Sequence, residues 1–173
     1  MGIIKCLPLL FLNIYFFGNL AEAGLCKKWG EAQQVGQLDV NLIPEASGIA
    51  FSPLVKERLY HNNDSGDGPF FYMTDLSGGN TQKIEVASFS PVDVEELAIG
   101  PCHSKESPER NCLFLADIGD NAEKRPSVEI IILKEEKTYS QPVQPLNKLI
   151  ASYPDRPHNA EALFVHPNGD LYV

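Results

Sequence analysis

Basic side chains are scarce in this chain: 14 Lys and Arg stand against 23 Asp and Glu, a net charge of −9. That balance excludes a non-specific nucleic-acid binder, whose affinity comes from neutralising phosphates with cationic side chains. The sequence has no Gly-rich phosphate loop, no Gly-x-Ser-x-Gly elbow and no Cys-x-x-Cys pair. A nucleotide cradle, an elbow-type serine nucleophile and a dithiol redox centre are therefore not expected. No segment sustains the 3.6-residue apolar period of an amphipathic helix. After Leu20 no apolar run approaches the roughly 20 residues that a membrane-spanning helix needs.

What is present begins with a leader. Lys5 is followed by an apolar stretch from Cys6 to Leu20, broken only by Pro8, Asn13, Gly18 and Asn19, and then by Ala21-Glu22-Ala23. A short basic start, a short apolar run and a small-x-small exit predict a cleaved signal peptide over 1–23, with Gly24 as the first mature residue. The apolar run is too interrupted to read as a transmembrane anchor. The expected product, 24–173, is secreted or periplasmic and makes no membrane contact after cleavage. It keeps Cys26, Cys102 and Cys112, an odd number. In an exported chain such cysteines are expected to be oxidised. Cys102 and Cys112 flank a polar, Pro-containing segment and are expected to form a disulfide; Cys26 has no evident partner. Trp29 reads as packing against an outer strand.

The mature chain repeats itself. Glu45-Ala-Ser-Gly-Ile-Ala-Phe leads through a Ser-Pro turn to Leu59-Tyr-His-Asn-Asn-Asp64. Glu95-Glu96-Leu-Ala-Ile leads across the cysteine loop to Cys112-Leu-Phe-Leu-Ala-Asp117. Glu161-Ala-Leu-Phe-Val leads through Pro167-Asn-Gly-Asp to Leu171-Tyr-Val. The starts lie about 50 and 65 residues apart, near the period of propeller blades. Each unit reads as a hairpin whose strands are apolar on both faces, as inner strands covered by neighbours on both sides must be. Segments 70–73, 83–86, 128–133 and 146–153 supply further strands. The expected fold is all-β: a partial β-propeller of two four-stranded blades and the start of a third, truncated from a six-bladed ring. A β-sandwich is the competing architecture, but it would not require the repeated Glu-first hairpin.

In an antiparallel hairpin the start of the first strand lies beside the end of the second. Glu45 is therefore expected beside Asn63 and Asp64, and Glu95 and Glu96 beside Asp117, Asp120 and Asn121. His158 and Glu161 take the matching place in the third unit. All would gather at one mouth of the ring. Carboxylate and amide oxygens in Gly-containing loops suit Ca2+, which accepts several oxygen ligands in flexible geometry. The metal ligands expected are Glu45, Asn63, Asp64, Glu96, Asp117, Asp120, Asn121 and Glu161. The first loop is not an EF-hand: counting from Asn63, the twelfth position is Thr74, not Glu. His61 and His158 are the candidate catalytic proton-transfer groups. Asn63-Asp64-Ser65 also matches the N-glycosylation pattern.

The strings Glu45-Ala-Ser-Gly-Ile-Ala-Phe, Leu59-Tyr-His-Asn-Asn-Asp and Glu161-Ala-Leu-Phe-Val-His-Pro-Asn-Gly-Asp-Leu-Tyr-Val resemble the hairpins of the six-bladed, calcium-associated phytase-like esterase group. The plan is more distantly similar to gluconolactonase and strictosidine-synthase-type propellers. The resemblance spans 45–173. It implies a channel Glu that joins other carboxylate or amide residues to hold a divalent metal. Ala162 stands where the phytase-like group often has Gly, and no catalytic nucleophile carries over by position. Two functions follow as expectations. One is a Ca2+-dependent hydrolase of ester, lactone or phosphoester bonds, taking a small-molecule or extracellular ligand at the channel mouth. The other is a non-catalytic, calcium-stabilised binding module for a protein or glycan partner.

Overall fold

The computed structural model describes residues 30–102 and 111–173. The leader at 1–23, Cys26, Trp29 and the interior of the cysteine loop lie outside the described residues. The chain divides into two units, 1–33 and 34–173, and the fold that follows is that of the second.

It is all-β and antiparallel. β1 (Ala46–Phe51), β2 (Arg58–Asn63), β3 (Phe70–Asp75) and β4 (Gln82–Glu85) form one four-stranded sheet in sequential order. β5 (Val94–Pro101), β6 (Asn111–Asp117), β7 (Val128–Lys134) and β8 (Asn147–Ala151) form a second sheet of the same plan. β9 (Phe164–Val165) and β10 (Leu171–Tyr172) make a separate hairpin. Among the described residues there is no helix long and apolar enough to cross a membrane.

Local chemistry explains where the strands turn. Between β3 and β4, Asp75 Oδ1 accepts the Ser77 and Gly79 N–H groups, and Gly78 takes a positive φ of 80°. An Asp that bonds the backbone two residues on, followed by Gly, is a tight-turn device. Between β9 and β10, the Gly169 N–H donates to His166 C=O with Gly169 at φ 90°. The expected turn at Pro167-Asn168-Gly169-Asp170 is therefore present.

Two apolar layers hold the unit together. The first lies between the sheets: Ala50, Tyr60, Phe71, Met73 and Ile84 of one pack against Leu97, Leu113, Leu115, Ile131 and Leu133 of the other. The second lies between the second sheet and the hairpin, where Leu163 and Val165 pack on Phe114, Ala116, Val128 and Ile130. The second sheet is thus covered on both faces, which is why β6 and β7 read as continuous apolar runs rather than alternating ones. Burial of each such side chain contributes about 1.5–3 kcal/mol.

The two sheets share an irregularity at the same rung. β1 pairs Ala46 with Asn63 and then Ile49 with His61; β5 pairs Val94 with Asp117 and then Glu96 with Ala116. Each first strand carries one extra residue there, a β-bulge, which bends the strand and re-aims a side chain. The register identifies equivalent positions: Ile49, Leu97 and Leu163 align, so Ser47 matches Glu95 and Glu161, and Glu45 matches Asp93 and Asn159. The sequence repeat, aligned on its first Glu, is two residues out of step with this structural repeat.

Cys102 and Cys112 are disulfide-bonded, with Cα atoms 5.1 Å apart, and both are buried in the second layer. Closing a loop of this size removes chain entropy from the unfolded state, worth roughly 3 kcal/mol. The double variant Cys102→Ser/Cys112→Ser is expected to lose about that much stability in chemical denaturation. An unchanged denaturation midpoint, or peptide mapping under non-reducing conditions that finds both thiols free, would refute this account.

Candidate metal centre

Strand ends from both sheets and the hairpin bring four carboxylates to one place. Asp64 follows β2, Asp93 precedes β5, Glu95 occupies the β5 bulge and Glu161 precedes β9. One oxygen each from Asp64, Asp93 and Glu95 lies within 4.8 Å of the others. Oxygens bound to one Ca2+ at 2.3–2.6 Å can stand up to about 5 Å apart across the ion, so this spacing suits shared ligation. Glu161 joins as the fourth member, hydrogen-bonded to the Glu95 carboxyl.

The chain holds these groups through its backbone. Asp117, buried at the end of β6, accepts the Val92 N–H at 3.2 Å and the Asp93 N–H at 2.7 Å. The Arg125 guanidinium donates to Asp117 Oδ1 at 2.9 Å and to Gly119 C=O at 2.7 Å. Asn63 does the same work in the first sheet, its Oδ1 accepting the Glu45 N–H. Gly119 closes the back of the centre. A Cβ there would lie 2.4 Å from Asp93 Oδ2 and 2.5 Å from Glu95 Oε1, so only glycine allows both carboxylates to approach.

The centre is poor in compensating partners. Asp93 and Glu95 are 7% and 4% exposed. Asp93 Oδ2 accepts only a long bond from Asn121 Nδ2, at 3.3 Å, and its Oδ1 is buried with no partner among the described residues. Burial pushes the Glu95 carboxyl up to about 8, helped by the hydrogen bond with Glu161 and the charges of Asp64, Glu161 and Asp93. Burial also raises the Asp93 carboxyl; the Asp64 charge adds to this and Arg125 partly opposes it. Like charges held together out of water favour the protonated forms unless a cation enters. An orphaned buried oxygen, a glycine-shaped cradle and an all-carboxylate donor set fit a hard divalent ion.

Of the residues expected from sequence, the structure brings Asp64 and Glu161 into this centre and sets Asn121 against it. Asp117 and Asp120 lie directly behind it: Asp120 Oδ2 accepts the Arg125 N–H, and its own N–H donates to Asn159. Asn63 is buried, and its amide nitrogen donates to Leu42 C=O, Asp67 and Tyr72. Those contacts leave no room for a glycan on that nitrogen. Glu45 contributes its backbone while its side chain is exposed. Glu96 turns onto Gly48 and accepts the Leu97 N–H. His61 is buried against Thr74, 2.9 Å from its hydroxyl, and burial lowers its pKa. His158 bonds the Asp155 carboxylate and stacks edge-on against Tyr153. Neither histidine has one of the four carboxylates as a hydrogen-bond partner.

Two members of the centre, Asp93 and Glu95, stand outside the expected ligand set, which has Glu96 in place of Glu95. The signal for both was available. Aligning the units on their first apolar residue, Ile49, Leu97 and Leu163, places acids or amides two and four residues earlier, at Glu95, Glu161, Glu45, Asp93 and Asn159. No family model, no curated protein and no solved structure matches the chain.

A carboxyl whose folded pKa is raised from 4.5 to about 8 keeps its proton in the native state while the unfolded chain has lost it. The native state then binds more protons, and stability falls as pH rises through that window. His61, with its pKa lowered from 6.5, acts in the opposite sense only below that value. With chelator present, the urea midpoint is therefore expected to fall between pH 6.5 and about 8, and Glu95→Gln should flatten the decline. A midpoint that rises over this range would contradict the assignment.

Proposed function

We propose that the chain forms two blades and the inner hairpin of a third in an exported β-propeller, and that Asp64, Asp93, Glu95 and Glu161 hold a Ca2+ at one mouth of its channel. The function best supported is a calcium-dependent hydrolase of ester, lactone or phosphoester bonds. One observation carries this reading: acids from both sheets, Asp64, Asp93 and Glu95, converge on a space the size of a single ion rather than scattering around a rim, with Glu161 adjoining Glu95. Such a cation supplies a Lewis acid that polarises a carbonyl or phosphoryl oxygen. The chain's own residues do the positioning. Asp117 and Arg125 fix the approach to β5, Gly119 admits the carboxylates, and Asp93 and Glu95 are held out of water.

A second reading, the calcium-stabilised binding module, is favoured by a specific observation: His61 and His158 are both engaged elsewhere. On that reading the ion links the sheets and the mouth binds a protein or glycan.

A ligand that binds only the folded state stabilises it by mass action, about 2.7 kcal/mol at a hundredfold excess over Kd. In chelator-treated exported protein, saturating Ca2+ is expected to raise Tm by roughly 5–10 °C. Asp93→Asn and Gly119→Ala should remove most of that gain, and Glu45→Ala should leave it intact. No calcium-dependent change in Tm would overturn the metal centre. Retained stabilisation without calcium-dependent turnover of p-nitrophenyl esters, lactones or phosphomonoesters would favour the binding module.

A further inference from the structure

Three consecutive carbonyls at the start of β5 accept hydrogen bonds from outside their own strand. The Gly119 N–H donates to Asp93 C=O at 3.0 Å. Asn62 Nδ2, on β2, donates to Val94 C=O at 3.0 Å. Ser47 Oγ, on β1, donates to Glu95 C=O at 2.7 Å. The Val92 and Asp93 N–H groups are held by Asp117. The backbone that carries Asp93 and Glu95 is therefore fixed by residues of both sheets.

Asn62 sets where β1 lies against it. The residue is wholly buried, its Oδ1 accepts the Gly48 N–H at 3.1 Å, and its Nδ2 also donates to Asn63 C=O at 3.0 Å. A Cβ on Gly48 would lie 2.4 Å from both Asn62 Oδ1 and the Leu97 nitrogen, and 2.5 Å from Glu96 Oε1. Glycine thus lets β1 come this close to β5, and the approach delivers the neighbouring Ser47 to Glu95. Ser47 stands at the register position of Glu95 and Glu161. The second and third units put a carboxylate of the acidic centre at that position. The first unit puts there a hydroxyl that holds the Glu95 backbone.

We infer that Ser47 is a positioning residue for the metal centre: its hydroxyl fixes the Glu95 carbonyl and so aims the Glu95 carboxylate. The seating of the first sheet on the second then sets the affinity for the ion. This role rests on the Ca2+ centre proposed above, and Ser47 acts through Glu95 rather than on the ion. Removing a hydrogen-bonding group that orients a metal ligand costs roughly 10–100-fold in metal affinity.

The test compares Ser47→Ala with Ser47→Thr, which keeps the hydroxyl, in chelator-treated protein. Eu3+ serves as the probe, because its luminescence lifetimes in H2O and D2O count the waters on the ion; competition by Ca2+ gives the affinity. Wild-type protein should bind Eu3+ and release it to Ca2+. In Ser47→Ala the Ca2+ affinity should fall by roughly 10–100-fold, and the bound Eu3+ should carry more water as Glu95 withdraws. Ser47→Thr should restore both. The urea midpoint of metal-free Ser47→Ala should stay near the wild-type value, since the position is exposed. Wild-type protein that binds neither ion overturns the metal centre itself, and the positioning role with it. Wild-type binding combined with an unchanged affinity and water count in Ser47→Ala overturns the positioning role alone. A loss that Ser47→Thr does not repair, or that comes with a lowered metal-free midpoint, marks a general structural role and overturns it as well.

Discussion

The structure depends on the hold that Asp117 has on the start of β5. Its carboxylate accepts two consecutive backbone N–H groups, from Val92 and Asp93, and is itself neutralised by Arg125. A buried carboxylate satisfied in this way costs little, and it fixes the backbone from which Asp93 and Glu95 project. Without it, the bulge at Glu95 would lose its anchor. The strand that inserts Leu97 into the first apolar layer would also lose its entry angle. One polar contact therefore sets both the geometry of the acidic centre and the join between the sheets.

That centre is held together against its own electrostatics. Four acids crowd together, two of them (Asp93 and Glu95) buried, and the nearby cation among the described residues, Arg125, is committed to Asp117 and the Gly119 carbonyl. The apolar layers oppose the repulsion, since the strands carrying the acids are the strands that bury Tyr60, Leu97 and Leu163. Proton uptake relieves the strain in one way, and a divalent ion would relieve it more completely while tying the two sheets and the hairpin to each other. The disulfide is at the other end of the β5–β6 hairpin, so the pair is fastened by a covalent bond at one end and by Asp117 at the other.

Much of the fold was legible because its signals are local. Alternating turn residues and short β-branched runs marked all ten strands, and the paired cysteines marked the loop they close. The candidate site was legible only in outline. Matching the units by their first Glu gave Glu45 the place of Glu95, but that match is two residues out of step, and the equivalent of Glu45 in the second sheet is Asp93. His61 appeared available because its neighbours are polar, yet it lies under the first sheet, bonded to Thr74 from the adjacent strand.

Composition and local pattern alone determined that this chain is acidic, all-β, built from repeated antiparallel hairpins, and stapled between Cys102 and Cys112. Those properties follow from side-chain type and from contacts between near neighbours. Tertiary structure alone decided which acids meet. Asp64, Asp93, Glu95 and Glu161 are brought together by sheets packing face to face, through contacts between residues as many as 66 positions apart in the chain. Such distances are consequences of packing that no local stretch of sequence encodes.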